Sequence, residues 1–191
     1  MLQITSLNIA GAKTMGKITG ILQTIQTDIL CLQEVRWNQQ QKEHAEKTWG
    51  GGFFFAPGPQ LKAGTAVLVR PGLPHNVTCV HAGGEGRLVV VDLELNKKVL
   101  RVINIYNSNN EIERKDFYKN RLIKWITNYS IIVGDFNTIL TNNDIAHNDI
   151  RNDMSRNELY NIMAKYNLID IWRTLNPGVR DYSRRQLHSK K

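Results

Sequence analysis

The chain has few cysteines, few acidic residues and no long apolar run, and each shortage excludes something. Two cysteines in 191 residues cannot build a disulfide framework or a thiolate zinc cluster. Cys31 lies in the run Ile29-Leu30-Cys31-Leu32 and Cys79 in Val77-Thr78-Cys79-Val80, so both read as buried thiols in a reducing compartment. No apolar run approaches the ~20 residues needed to cross a bilayer. The N-terminus also lacks a basic region followed by an apolar stretch and a cleavage site. Acidic residues number 17 against 25 Lys and Arg, leaving a net charge of +8. That excess favours a polyanionic partner, nucleic acid or an anionic membrane surface. It fits an ordinary solvated basic face equally well, because it is spread thinly and concentrates only at Arg180, Arg184-Arg185, Lys190 and Lys191.

What is present suffices for a core. Hydrophobic residues make up 41% of the chain and charged residues 22%, which excludes wholesale disorder. The length supports one domain, 1–191, with an irregular tail over 177–191. No internal repeat and no linker rich enough to divide domains is visible.

Residues 2–9 read as a strand. Ile18, Ile21, Leu22 and Ile25 form one helical stripe within 15–26, with Thr14 as N-cap. Residues 28–33 are a short apolar run closed by Glu34, a buried strand directly after that helix. Strand, helix, strand predicts a parallel or mixed sheet under a covering helix. A polar helix over 39–49 is stopped by Gly50-Gly51-Gly52. Strands follow at 53–56 and 64–69. Residues 87–95 and 99–106 form a hairpin across Asn96-Lys97-Lys98. A helix over 111–127 carries Tyr118, Leu122, Trp125 and Ile126 on one side, and a buried strand at 131–134 ends at Asp135. Residues 155–166 are a helix, with Ser155 and Glu158 as a capping box and Met163 in the core. Residues 168–172 read as another strand.

Acidic and amide residues stop several of the apolar runs. Asn8 ends the first strand, Glu34 the second, and Asp135 with Asn137 the one before Thr138. Carboxylates anchored at strand ends suit a hard divalent ion, which asks for oxygen ligands in fixed geometry. Strands also commonly end at polar residues, and composition alone does not separate the two readings.

Five segments in order carry a resemblance: Leu7-Asn8-Ile9, Ile29-Leu30-Cys31-Leu32-Gln33-Glu34, Gly64-Thr65-Ala66-Val67-Leu68-Val69, Ile103-Asn104-Ile105-Tyr106 and Ile132-Val133-Gly134-Asp135-Phe136-Asn137. Together they resemble the endonuclease/exonuclease/phosphatase superfamily. Leu168-Ile169-Asp170-Ile171-Trp172-Arg173, Asn176-Pro177 and Asp181-Tyr182-Ser183 are similar to one branch of it, the endonuclease domain of LINE-type (non-LTR) retrotransposons.

The resemblance implies an α/β fold, a DNase I-like four-layer α/β/β/α sandwich of two mixed sheets with flanking helices. It implies DNA nicking by phosphodiester hydrolysis with Mg2+, or alternatively Mn2+. Glu34 would be the principal metal ligand, with Asn8 beside it orienting the ion or the phosphate. Asp135 would position or activate water, Asn137 would hydrogen-bond the scissile phosphate, and Tyr106 would contact or polarise it. Asn109 would support phosphate contacts, although Asn107-Ser108-Asn109-Asn110 is also a turn composition. Ser183 would be a small hydroxyl residue near the cleft, and Asp144 would support the loop after the Asp135 strand. DNA is the implied partner and a membrane is not; a full element would carry a reverse transcriptase downstream. The implied location is intracellular, and nuclear if chromosomal DNA is the target.

Two departures stand out. The small residue and proline that usually follow the tyrosine are replaced by Asn107-Ser108. The Ser-Asp-His segment with its closing strands is absent, so the chain reads as incomplete at its C-terminus. None of His44, His75, His81, His147 and His188 follows an aspartate in the needed pattern. Exposed sheet edges, weak stability and little or no nicking are therefore expected. The competing readings are a phosphoesterase of the same fold acting on another phosphate substrate and a catalytically silent DNA-binding remnant.

Overall fold

Ile29–Gln33 (β2) is buried at every position, because both faces of this strand are covered by other elements. A computed structural model of the chain describes residues 1–83, 85–145 and 152–181. In it β2 runs parallel to Ile4–Asn8 (β1) and antiparallel to Thr65–Val69 (β4), which pairs in turn with Gly52–Ala56 (β3). The first sheet is thus ordered β1-β2-β4-β3. A second four-stranded sheet, β5-β6-β7-β8, is formed by Val77–Ala82 (β5), Leu88–Leu95 (β6), Lys98–Tyr106 (β7) and Ser130–Asp135 (β8). Its first two pairings are antiparallel, and β7 with β8 is parallel. Both sheets are mixed, and together with the helices they make the DNase I-like α/β architecture expected from the sequence.

The chain forms two compact bodies, one of Met1–Ser108 with Trp125–Phe136 and one of Asn109–Lys124 with Asn137–Lys191. Period-two alternation divides the strands of the first body between two cores. Leu30, Leu32, Ala66 and Leu68 pack under Ile18 and Leu22 of Met15–Thr24 (α1) and Ala45 of Gln39–Trp49 (α2). The intervening positions, Ile29, Cys31 and Val67, meet Val89, Val91, Leu93 and Val102 of the second sheet. Full burial of a leucine such as Leu30 or Leu32 stabilises the fold by roughly 1.5–3 kcal/mol. Thr14 caps α1 by accepting from the Lys17 N–H, and a capping box of Asn38 and Gln41 opens α2. Gly50 ends α2 in the left-handed conformation. The β6–β7 turn places Asn96 and Lys97 at φ +49° and +66°, the twist that a two-residue hairpin requires.

The second body is helical. Asn110 caps Glu111–Asp116 (α3), Asp153 caps Met154–Tyr166 (α4) and Asp170 caps Ile171–Leu175 (α5). Buried Arg114 joins the starts of α3 and α4. Its guanidinium donates to Ser155 Oγ at 2.8 Å, to Asp153 Oδ2 at 2.8 Å and to the Asn109 carbonyl at 3.0 Å.

Several expectations are corrected. Residues 168–172 form no strand: the Asp170 side chain accepts from the Arg173 N–H and starts α5 instead. Asp153, not Ser155, caps α4, and Ser155 is buried as its partner. The helix expected over 111–127 is α helix only to Asp116, passing into a π turn at Phe117–Arg121 and a 3-10 turn at Leu122–Lys124. Strand β5 was not foreseen, and its Cys79 is exposed, not buried. β5 is an edge strand whose register shifts between Cys79 and His81, which turns this segment outward. Residues 177–181 carry no helix or strand. The rest of the expected tail, with Ser183 and His188, lies outside the described residues, as does His147.

Candidate active site

The parallel pairing of β1 with β2 sets Asn8 opposite Gln33, so Asn8 and Glu34 emerge side by side at the same end of the first sheet. The pairing of β7 with β8 does the same for the second sheet, where Tyr106 lies opposite Asp135. Four of the expected residues are therefore strand-end groups of the first body. The Asn8 side chain connects two of the others. Asn8 Nδ2 donates to Glu34 Oε2 at 3.1 Å and to Asp135 Oδ2 at 2.8 Å. Asn8 Oδ1 accepts from the Ala10 N–H at 2.9 Å, which fixes the orientation of the amide. The NH2 group thus faces the two carboxylates.

The backbone around these residues is unusual. Glu34 has φ +53°, a left-handed conformation that costs a non-glycine residue on the order of 1–3 kcal/mol. Hydrogen bonds on both sides hold it there: its carbonyl accepts from the Gly11 N–H at 2.7 Å, and the Val35 and Arg36 N–H groups donate to Gly64 and Ala63. Gly11 sits at φ +68°, a left-handed conformation that favours glycine, and a Cβ there would also stand 2.8 Å from Arg36 Cδ. Gly134, at φ +130°, is required because a Cβ would stand 2.0 Å from the Ile105 carbonyl oxygen. That close approach of β8 to β7 brings Asp135 alongside Tyr106.

Two arginines not singled out from the sequence complete the group. Arg36 forms an ion pair with Glu34 through Oε1, leaving Oε2 to Asn8. Arg87 places its guanidinium 5.7 Å from the centre of the Tyr106 ring and donates to the Tyr106 carbonyl at 3.3 Å. Burial pushes the Tyr106 phenol above its ordinary pKa, and the Glu34 and Asp135 carboxylates push it the same way. Arg36 and Arg87 act against them. The phenol accordingly keeps its proton as a hydrogen-bond donor. Arg36 was legible as a charge beside Glu34; Arg87 has no local motif and is found only through the pairing of β6 with β7.

The remaining candidates belong to the second body. Asn137 begins it at φ +48°, half-buried. Asn109 is exposed, with its carbonyl held by Arg114. Asp144 pairs with Arg173 and accepts from the N–H and hydroxyl of Thr141 at 2.9 and 2.8 Å. Burial opposes its charge, but the hydrogen bonds from Arg173 and Thr141 outweigh that and hold its carboxyl below the usual range. Of the histidines, His44 bonds the Thr19 hydroxyl at 2.8 Å and His81 stacks on Trp125 at 4.5 Å.

Among the described residues no three His, Cys, Asp or Glu side chains are arranged to hold a metal ion. The oxygen donors at the strand ends are two carboxylates held by one amide. Magnesium keeps several waters and is held by one or two protein carboxylates, so this donor set fits it.

Comparison with solved structures returns the same fold. An AP endonuclease from Leishmania major superposes with a TM-score of 0.72 at 19% identity, covering 93% of this chain and 70% of that one. An AP endonuclease from Archaeoglobus fulgidus gives 0.71 at 19% identity, covering 100% and 80%. The endonuclease domain of TRAS1, a telomere-specific non-LTR retrotransposon, gives 0.62 at 15% identity, covering 86% and 72%. The sequence pattern of the Endonuclease/Exonuclease/phosphatase family matches residues 5–186. With nearly its whole length matched, the chain belongs to that family.

Proposed function

We propose that this chain carries a magnesium-assisted DNA endonuclease site of the retrotransposon type, one that hydrolyses phosphodiesters slowly. The observation that carries the reading is the Asn8 amide, which gathers Glu34 and Asp135 at one point beside Tyr106. Glu34 would hold the ion, with Asn8 beside it, and the ion supplies positive charge against the phosphate oxygens. Asn8 keeps both carboxylates aimed at one place without reorganisation. Asp135, one hydrogen bond from Asn8, orients a water and accepts its proton. Tyr106, protonated by its surroundings, donates to a phosphate oxygen, where a fixed donor matters most as charge develops. Arg36 and Arg87 offset the charge of the Glu34 and Asp135 carboxylates, which lessens the repulsion a polyanion meets at this end of the sheets. Asn137, Asn109 and Ser183 are assigned to phosphate contacts on the family motifs alone.

DNA is the proposed partner, and the motifs over 168–183 support the retrotransposon branch, with a reverse transcriptase in the same element and nuclear action on chromosomal DNA. The test is relaxation of supercoiled plasmid by excess protein with Mg2+, run beside a duplex carrying one abasic site. Slow nicking of intact plasmid is expected. Cleavage confined to the abasic duplex would move the chain to the AP-endonuclease type, and no cleavage of either would contradict the proposal.

A further inference from the structure

The apolar interior between the two sheets contains a polar cluster. Gln33 of β2 and Asn104 of β7 are both buried there, among Ile29, Cys31, Val67, Val91 and Val102. Asn104 Nδ2 donates to the Leu32 carbonyl at 3.0 Å and the Ala66 carbonyl at 2.9 Å, both in the first sheet. Its Oδ1 accepts from Gln33 Nε2 at 2.7 Å. Gln33 Nε2 also lies 3.0 Å from the Cys31 carbonyl and 3.1 Å from Ser6 Oγ. Each NH2 group faces a backbone carbonyl, which can only accept, so neither amide can be turned over. One side chain of the second sheet is thereby bonded to two strands of the first.

We propose that the Gln33–Asn104 pair is the positioning element of the active site, holding the Glu34 end of β2 against the Tyr106–Asp135 end of β7 and β8. The inference rests on the reading of the site given above and adds the residues that set its width. Gln33 immediately precedes Glu34. Asn104 lies two residues before Tyr106, on the same face of β7, and Tyr106 pairs with Asp135. A pair chosen for stability alone has little advantage here, because apolar side chains of similar volume fill a core as well as a buried amide pair does. What apolar side chains do not supply is direction. Leucines slide past one another, whereas the bonds from Asn104 are satisfied in one register of the sheets only.

The experiment compares wild type with the Gln33→Leu/Asn104→Leu double variant and with Val91→Ala, a loss of packing in the same interior. Three quantities are read: the thermal midpoint, the backbone amide resonances of Glu34, Tyr106 and Asp135, and the affinity for Mn2+ as probe ion. The double variant is expected to unfold cooperatively, to shift or broaden those three resonances beyond the change in Val91→Ala, and to bind Mn2+ about tenfold more weakly. Val91→Ala is expected to lose thermal stability while keeping wild-type affinity. If the double variant does not fold, Asn104→Ser removes the bond to Gln33 and is read in the same way. Resonances that move no more than in Val91→Ala would overturn the proposal. Failure of wild type to bind Mn2+ would instead contradict the metal reading of the site, and the resonances alone would then decide the role of the pair.

Discussion

Asn8 and Asp135, 127 positions apart in the chain, share a 2.8 Å hydrogen bond that joins the end of the first sheet to the end of the second. The same Asn8 amide also holds Glu34. Two carboxylates converging on one neutral donor would repel in its absence, and the amide is the group that makes the arrangement tolerable.

Replacing Asn8 therefore tests the arrangement itself. Asn8→Ala removes the donor, and Asn8→Asp sets a third carboxylate between the other two. Each is expected to lower the plasmid nicking rate at saturating Mg2+ by about a hundredfold or more. Nicking within threefold of wild type in either variant would remove Asn8 from the site.

The Tyr106 phenol is raised in pKa by burial and by the two carboxylates, so it ionises above the ordinary tyrosine value of ~10. Because the unfolded chain ionises first, the stability contributed is complete below pH ~10 and is lost as pH rises through the folded value. Difference titration at 295 nm, wild type minus Tyr106→Phe, is expected to show a component with its midpoint above 10. Tyr106→Phe is also expected to slow nicking by about 10- to 100-fold without moving the pH profile below 10. A midpoint below 10 would contradict the assigned surroundings.

The two thiols differ in environment. Burial pushes the Cys31 thiol up to about 12, whereas Cys79 is exposed. A thiol reagent at pH 8 is expected to modify Cys79 alone in the folded protein, and both cysteines in denaturant. Rapid reaction of Cys31 in the Cys79→Ser variant would show that the sheet interior is open.

Legibility from the sequence followed the strength of local signals. Buried strands such as β2, the helices α1 and α2 and the β6–β7 hairpin carry their own periodicity, caps and turn residues, and they were foreseen within a few positions. Strand β5 was missed because an edge strand with a bulge has no clean alternation. Residues 168–172 misled because an apolar run of that length suits strand and helix alike, and only the Asp170 cap decides. Of the site, strand-end Asn8, Glu34, Tyr106 and Asp135 were legible. The contribution of Asn104 was not: a buried amide within an apolar strand shows its partner only once the two sheets are packed face to face.

In the second body, Arg114 and Asp153 predict an acid-sensitive tie. Burial opposes the Asp153 charge, but hydrogen bonds from Ser155 and the Arg114 guanidinium outweigh it and hold the carboxyl below the usual range. Its contribution to stability is present above pH ~4 and is lost as pH falls through the depressed value. Arg114→Ala leaves the half-buried Asp153 carboxylate with only its Ser155 partners and is expected to cost about 1–3 kcal/mol in denaturant titrations at pH 7. Asp153→Asn is expected to flatten the loss of stability between pH ~4 and 2. An unchanged acid limb in Asp153→Asn would place the sensitivity elsewhere.

Glu34→Gln tests the central claim most directly, because it keeps the size of the side chain and its bond to Asn8 while removing the charge. Mn2+ binding and Mg2+-dependent plasmid nicking would be measured on wild type and on this variant at matched folded fraction. Ion binding and slow nicking are expected in wild type, and loss of both in Glu34→Gln. Equal Mn2+ affinity in the two proteins, or nicking that survives the substitution, would contradict it.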